Sequence, residues 1–271
     1  MTPSTPSSVL CHRFALFVTL LVVVSSTAPA TQAGIGPGST LLRLKPHSRP
    51  LLYSSRETTV QVELPQTGEP IVHRYDFDKT LRRTSTGDRD LFLKIRVEVV
   101  ALKALMDTRP FAAPAGPPAE TRVSSRGPLV GADGREAVLP LGLVLPADPL
   151  PPPMVVLGAK SLGGVEWTAQ SEPTPDLPIA VKTRYRVSGV SVVGGHECVL
   201  IQSSAQAQGP AHGGRLYLDV WGRGQIAFDP DQGIPIETTS TLRVGQSFRA
   251  PGPKDPLRIH TEAHTTVRIR P

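Results

Sequence analysis

Through most of its length this chain alternates apolar and polar positions, the two-residue period that puts successive side chains on opposite faces of a β-strand. The clearest run is the last. Ile259, Thr261, Ala263, Thr265, Val267 and Ile269 fall on one face, and Arg258, His260, Glu262, His264, Thr266, Arg268 and Arg270 on the other. Such a strand packs one side and wets the other, as antiparallel sheets do.

The same period runs through the first half. Leu41–Lys45 and Leu51–Leu64 read as strands, the second with Thr58, Val60, Val62 and Leu64 on one face and Glu57, Thr59, Gln61 and Glu63 on the other. Turn residues fill Gln66–Pro70. Ile71–Arg83 then sets His73, Tyr75, Phe77 and Leu81 against Arg74, Asp76, Asp78 and Arg82. Ser85-Thr86-Gly87-Asp88 predicts the next turn. Leu91, Leu93, Ile95, Val97 and Val99 alternate with Lys94, Arg96 and Glu98, which predicts a strand through Ala101. Ala101–Met106 is rich in helix formers, and strand and helix both stay open there.

Between Val181 and Glu237, runs of β-branched and aromatic residues are cut by glycine pairs, the pattern of an antiparallel meander. Val165–Gln170 leads in. Val181, Thr183, Tyr185 and Val187 then oppose Lys182, Arg184, Arg186 and Ser188. Gly194-Gly195 suits a tight hairpin onto His196–Gln206, because glycine takes the positive φ such loops need. Gly213-Gly214 and Gly222-Arg223-Gly224 are expected as turns bracketing Arg215–Trp221. Asp229-Pro230-Asp231-Gln232-Gly233 is turn chemistry between Gln225–Phe228 and Ile234–Val244.

Two stretches break the pattern. Residues 1–33 read as a secretory leader: His12 and Arg13 precede the apolar run Phe14–Val24, and Ala28-Pro29-Ala30 fits a cleavage site, with Ala33 a second. As a helix that eleven-residue run rises about 16 Å, too short for a stable membrane span. Residues 107–153 carry Pro110, Pro114, Pro117, Pro118 and Pro151-Pro152-Pro153, which deny a sheet its amide donors. They read as a crossover that partly covers the sheet, interrupted by short strands at Thr121–Ser125 and Val138–Leu145, with an interdomain linker as the alternative. The expected fold is therefore one all-β domain over residues 34–271, a mainly antiparallel sheet of long strands bent into a half-barrel or sandwich.

Composition narrows the function. With 29 Lys+Arg against 23 Asp+Glu the net charge is +6, but the basic residues are dispersed and aromatics make up only 5%. Neither a phosphate-tracking patch nor an aromatic platform is present, so nucleic acid is not an expected partner. Cys11 and Cys198 are the two cysteines. Cys11 would leave with the leader, and the exported chain would keep one thiol and no internal disulfide.

Three strings invite chemistry. His260-Thr261-Glu262-Ala263-His264 offers metal-ligating side chains on one strand face. Alternate residues there stand about 6.8 Å apart, so His260 with Glu262, or Glu262 with His264, can share an ion with a third ligand. The two histidines, about 13.6 Å apart, do not readily meet at one. His196-Glu197-Cys198 suggests a cysteine nucleophile, but Cys198 precedes Val199-Leu200-Ile201 and is expected as a buried small hydrophobe. Asp219, Asp229 and Asp231 lack the ligand alternation of a calcium loop. No catalytic residue and no cofactor is expected. G-x-S-x-G, S-x-x-K and a glycine-rich loop between strand and helix are all missing from the sequence.

The C-terminal half resembles a loosely defined family of secreted bacterial β-proteins with no assigned function. The likeness covers about residues 155–245. It lies in Gly164-Val165-Glu166-Trp167, in Tyr185 with Gly189, in Gly195 through Ile201 and in Gly222 through Gly233. Such proteins more often place an aspartate where this chain has Val165. The resemblance implies a β fold and carries no catalytic residue. The function expected from the whole is a non-catalytic protein of the periplasm or cell envelope. It would bind an apolar or amphipathic ligand, such as a lipid, or an envelope protein, on a concave sheet face. A metal-assisted hydrolase using His260, Glu262 and His264 is the alternative.

Overall fold

The computed structural model describes residues 39–42, 44–65, 68–88, 92–113, 115, 118–124, 129–130, 156–158, 166–170, 173, 178–248 and 257–270. The expected leader and the expected strand at Val138–Leu145 lie outside them. Strands run in order: β1 (Ser39–Leu41), β2 (His47–Leu64), β3 (Ile71–Asp88), β4 (Phe92–Met106), β5 (Arg109–Pro110), β6 (Ala119–Ser124), β7 (Leu129–Val130), β8 (Val156–Gly158), β9 (Glu166–Gln170), β10 (Lys182–Val193), β11 (His196–Ala211), β12 (Leu216–Asp229), β13 (Ile234–Phe248) and β14 (Leu257–Ile269). The only helix among the described residues is a single 3-10 turn, His212–Gly214. The expected all-β class is what forms.

One sheet takes the order β7-β6-β4-β3-β2-β14-β13-β12-β11-β10-β9, with β5 beside β4, while β1 and β8 pair separately. Every pairing is antiparallel, and the ladder does not close into a barrel among the described residues. The key step is β14 returning to pair with β2, which joins the two halves of the chain edge to edge. β2 and β3 are 18 residues each, and such strands reach about 60 Å, so the elements are ribbons rather than short staves.

Side-chain phase follows the alternation. On β14 Thr261, Ala263 and Val267 are buried while His260 and His264 are exposed. On β10 Thr183, Tyr185 and Val187 are buried, as is Val181 just before it, and Lys182, Arg184 and Arg186 are exposed. One cluster of buried apolar side chains runs along this inner face, from Leu93, Ile95 and Val97 of β4 to Tyr185 and Val187 of β10. Gly194 and Gly195 both adopt positive φ, +59° and +84°, and close the β10–β11 hairpin as expected. At the β12–β13 turn Asp229 Oδ1 accepts the amides of Asp231 and Gln232, both at 2.8 Å, and Gly233 sits at φ +68°.

Two expected turns are strand instead. Ser85–Asp88 continues β3, paired to β4 through Asp88↔Phe92. Gly222-Arg223-Gly224 lies inside β12, paired on both sides. There glycine serves close approach. A Cβ on Gly224 would stand 2.9 Å from the Thr239 carbonyl oxygen and 3.0 Å from Ser203 Oγ. The open segment Ala101–Met106 is strand, and a bulge explains its broken period. Thr80 pairs Ala101 and Leu81 pairs Val99, leaving Val100 extra. Leu102, Ala104 and Met106 thereby return to the buried face, against Tyr75, Phe77 and Phe111. Of the expected crossover, the first residues are not a crossing at all. Asp107 and Thr108, at φ +48° and +71°, turn the chain back so that β5 pairs β4.

Candidate functional site

The His260/Glu262/His264 face lines an open groove of about 600 Å³ on the outer side of β2, β12, β13 and β14. The register sets Trp221 beside Arg243, Arg243 beside Glu262, and Glu262 beside Val60, with His260 and His264 one step to either side. Gly245 leaves the space between Asp219 and His260 unfilled. Val60 and Val62, the most apolar residues of β2, form the opposite bank.

The charges here are already matched. Arg243 donates Nε–H and Nη2–H to the Glu262 carboxylate at 2.9 and 3.3 Å. His264 Nε2 meets Glu262 Oε1 at 3.0 Å. Its Nδ1 lies 3.0 Å from Thr241 Oγ1 and accepts that hydroxyl when the ring is neutral. The Arg243 hydrogen bond, with its charge and that of His264, holds the Glu262 carboxyl below its usual range. The structure thus places the three sequence candidates on one groove, yet ties Glu262 to an arginine. No group of three or more His, Cys, Asp or Glu able to hold a metal occurs among the described residues.

The other two strings are structural. His196 Nδ1–H donates to Asp229 Oδ2 at 2.8 Å, which turns the ring to the β12–β13 turn. Cys198 is buried, and burial together with the Asp229 charge pushes its thiol up to about 11. That is the reverse of an activated nucleophile. Asp229 itself caps its own turn.

Sequence reasoning did not single out the inner face of β2 and β3. On β2 the buried residues are Tyr53, Ser55, Glu57, Thr59 and Gln61, not the valines. Neighbours impose this phase: Tyr53 pairs Leu81, Glu57 pairs Phe77 and Thr59 pairs Tyr75, while Ala263 and Val267 flank from β14. A polar strip therefore crosses an apolar interior. Glu57, 1% exposed, is matched by Lys79 Nζ at 3.0 Å and Thr59 Oγ1 at 3.2 Å.

Two positions further along β3 from Leu81, Arg83 is also 1% exposed. Among the described residues its Nε, Nη1 and Nη2 have no partner in good hydrogen-bond geometry, and neither do Tyr53 Oη, Thr183 Oγ1 or Thr261 Oγ1. Arg83 pairs Leu51 and Val97, so Tyr53 is its diagonal neighbour on the same face. Burial pushes the Tyr53 phenol up, and the Arg83 guanidinium, by its charge and by facing the phenol oxygen as a donor, pulls the other way. Alternation alone marks Arg83, since it follows Leu81 by two and precedes Ser85, which is buried as well.

No family model matches the chain, and no curated protein matches it. Among solved structures, a lipovitellin structure concerned with lipid–protein interactions is similar at 12% identity and a TM-score of 0.41. The match covers 88% of this chain and 26% of that one. DynF, from the dynemicin biosynthesis pathway of Micromonospora chersina, is similar at 10% identity and a TM-score of 0.26, covering 92% of this chain and 93% of its own. Scores this low carry no argument about this chain. No helix among the described residues is long and apolar enough to cross a membrane.

Proposed function

We propose that this chain is an exported, non-catalytic protein that holds an apolar or amphipathic ligand against the inner face of its sheet. The observation that carries the reading is a set of buried polar atoms without a well-placed partner among the described residues, Tyr53 Oη, Thr183 Oγ1, Thr261 Oγ1 and the Arg83 nitrogens, set within an apolar cluster. Folded proteins leave few such atoms, because each forgoes about 1 to 3 kcal/mol of hydration with nothing in return. Polar atoms of a bound molecule would satisfy them, and its apolar part would meet the flanking valines, leucines and isoleucines.

The leader-like residues 1–33 support export to the periplasm or beyond. The hydrolase alternative has weaker support, since Glu262 is engaged by Arg243 and His264. Native mass spectrometry of the chain purified without detergent from its own host tests the reading. A mass excess that extracts into organic solvent and matches a single amphiphile is the expected result. A bare polypeptide mass, unchanged after incubation with long-chain alcohols and acids, would overturn it.

A further inference from the structure

We infer that Arg83, with the Tyr53 hydroxyl, receives the oxyanion head, a carboxylate or phosphate, of an amphipathic ligand whose tail lies along the inner apolar face. The inference deepens the ligand-binding reading above and rests on it.

The comparison of two buried charges on one strand leads to it. Lys79 and Arg83 are four positions apart on the inner face of β3. The fold gives Lys79 a buried carboxylate at 3.0 Å, that of Glu57. Arg83, more deeply buried, has no acid beside it among the described residues: its polar neighbour is the neutral Tyr53 hydroxyl, and no guanidinium nitrogen makes a hydrogen bond of good geometry. Arginine stays cationic in proteins and presents a planar fork of donors that fits two oxygens of one carboxylate or phosphate. An uncompensated buried charge is among the costliest features a fold can carry.

The surroundings restrict what can supply the missing charge. Arg83 lies well inside β3 between Leu81 and Ser85, both buried, so the side chain does not reach solvent around a strand end. Its cross-strand partners are Leu51 and Val97, with Ile95 and Val99 on the same face of β4. A small hydrated anion finds few polar atoms there beyond Tyr53 Oη and Ser85 Oγ, which already accepts the His47 amide at 3.1 Å. An anion that brings its own hydrocarbon finds both halves of its chemistry met: donors at Arg83 and Tyr53, and aliphatic contact around them.

The test uses the full chain stripped of lipid, with hexadecanoate, hexadecan-1-ol and inorganic phosphate as probes in equilibrium binding. Hexadecanoate is expected to bind about 10-fold more tightly than the alcohol, the difference between a charge-assisted hydrogen bond and a neutral one. Arg83→Met should erase that preference while the alcohol still binds, and should raise the melting temperature of the ligand-free chain, since it removes an unpaired charge. Acid and alcohol binding equally would overturn this inference and leave ligand binding intact. Phosphate competing as well as hexadecanoate would overturn the amphiphile in favour of a small oxyanion. If no probe binds, the inference falls together with the reading beneath it. A lower melting temperature for Arg83→Met, with wild-type acid preference, would assign Arg83 to structure alone.

Discussion

Arg243 lies over Trp221, its guanidinium carbon 5.3 Å from the ring centroid, and from that position holds the Glu262 carboxylate by two hydrogen bonds. Arg223 approaches the same ring at 5.6 Å, so one indole is flanked by two cations and one of these is neutralised by an acid from the next strand.

Acid should therefore loosen the outer face. The Glu262 carboxyl is depressed chiefly by Arg243, that of Asp76 by Arg74, and that of Asp107 by the Arg74 amide and then His73. A depressed carboxyl stabilises the fold fully above its unfolded value and ceases to do so as pH falls through the folded one. Urea unfolding should thus show stability constant near neutrality and falling below about pH 4. These groups are partly exposed, so each contributes under about 1 kcal/mol. Arg243→Met should bring the Glu262 midpoint, followed by NMR, up toward the ordinary glutamate value. An unmoved midpoint would refute the assignment.

Cys198 should be inert in the native state. With its thiol pushed up to about 11 and its side chain buried, alkylation at pH 8 should wait for unfolding. Peptide mapping of the Cys198 fragment distinguishes it from Cys11. Modification within minutes in native buffer, without a change in the fold, would show that the thiol is accessible after all.

Gly222 and Gly224 should part company when replaced by alanine. A Cβ at Gly224 meets a carbonyl oxygen at 2.9 Å, whereas one at Gly222 meets atoms no closer than 3.5 Å. Gly224→Ala is expected to cost about 1 to 3 kcal/mol through overpacking. Gly222→Ala should be nearly neutral, because ordinary contact offsets nothing and alanine suits a strand better than glycine. Thermal denaturation of the two variants decides, and equal losses would remove close approach as the reason for Gly224.

Lys79 should matter more than a surface lysine. Lys79→Met takes away the cation 3.0 Å from a carboxylate that is almost fully buried. A loss of about 3 kcal/mol is expected. Adding Glu57→Gln should recover much of it, and a double variant as weak as the sum of its parts would deny the coupling.

Period-two alternation made the strands legible, along with the packed side of β14 and β10 and the turns built on Gly194-Gly195 and Asp229–Gly233. It could not tell which side of β2 is inside, because Val60 and Val62 are more apolar than Glu57, Thr59 and Gln61. The neighbours β3 and β14 decide that question, and a single strand does not contain them. Alternation with Leu81 does put Arg83 on the inner face, but nothing in a single strand says whether an acid from a neighbour meets it there. A glycine misleads when it permits close packing rather than turning, as at Gly224. The metal candidates share one face of β14, but the arginine that occupies Glu262 comes from β13, 19 residues earlier in the chain.

The extra residue at Val100 gives β4 a built-in tolerance to change in length. Because Ala101 and Val99 take adjacent rungs opposite Thr80 and Leu81, excising Val100 would straighten the ribbon and leave every other side chain on its present side. Removing Glu98 would instead turn the stretch before it inside out, exposing Leu93, Ile95 and Val97 to water. Along this strand, one codon is dispensable where its neighbours are not.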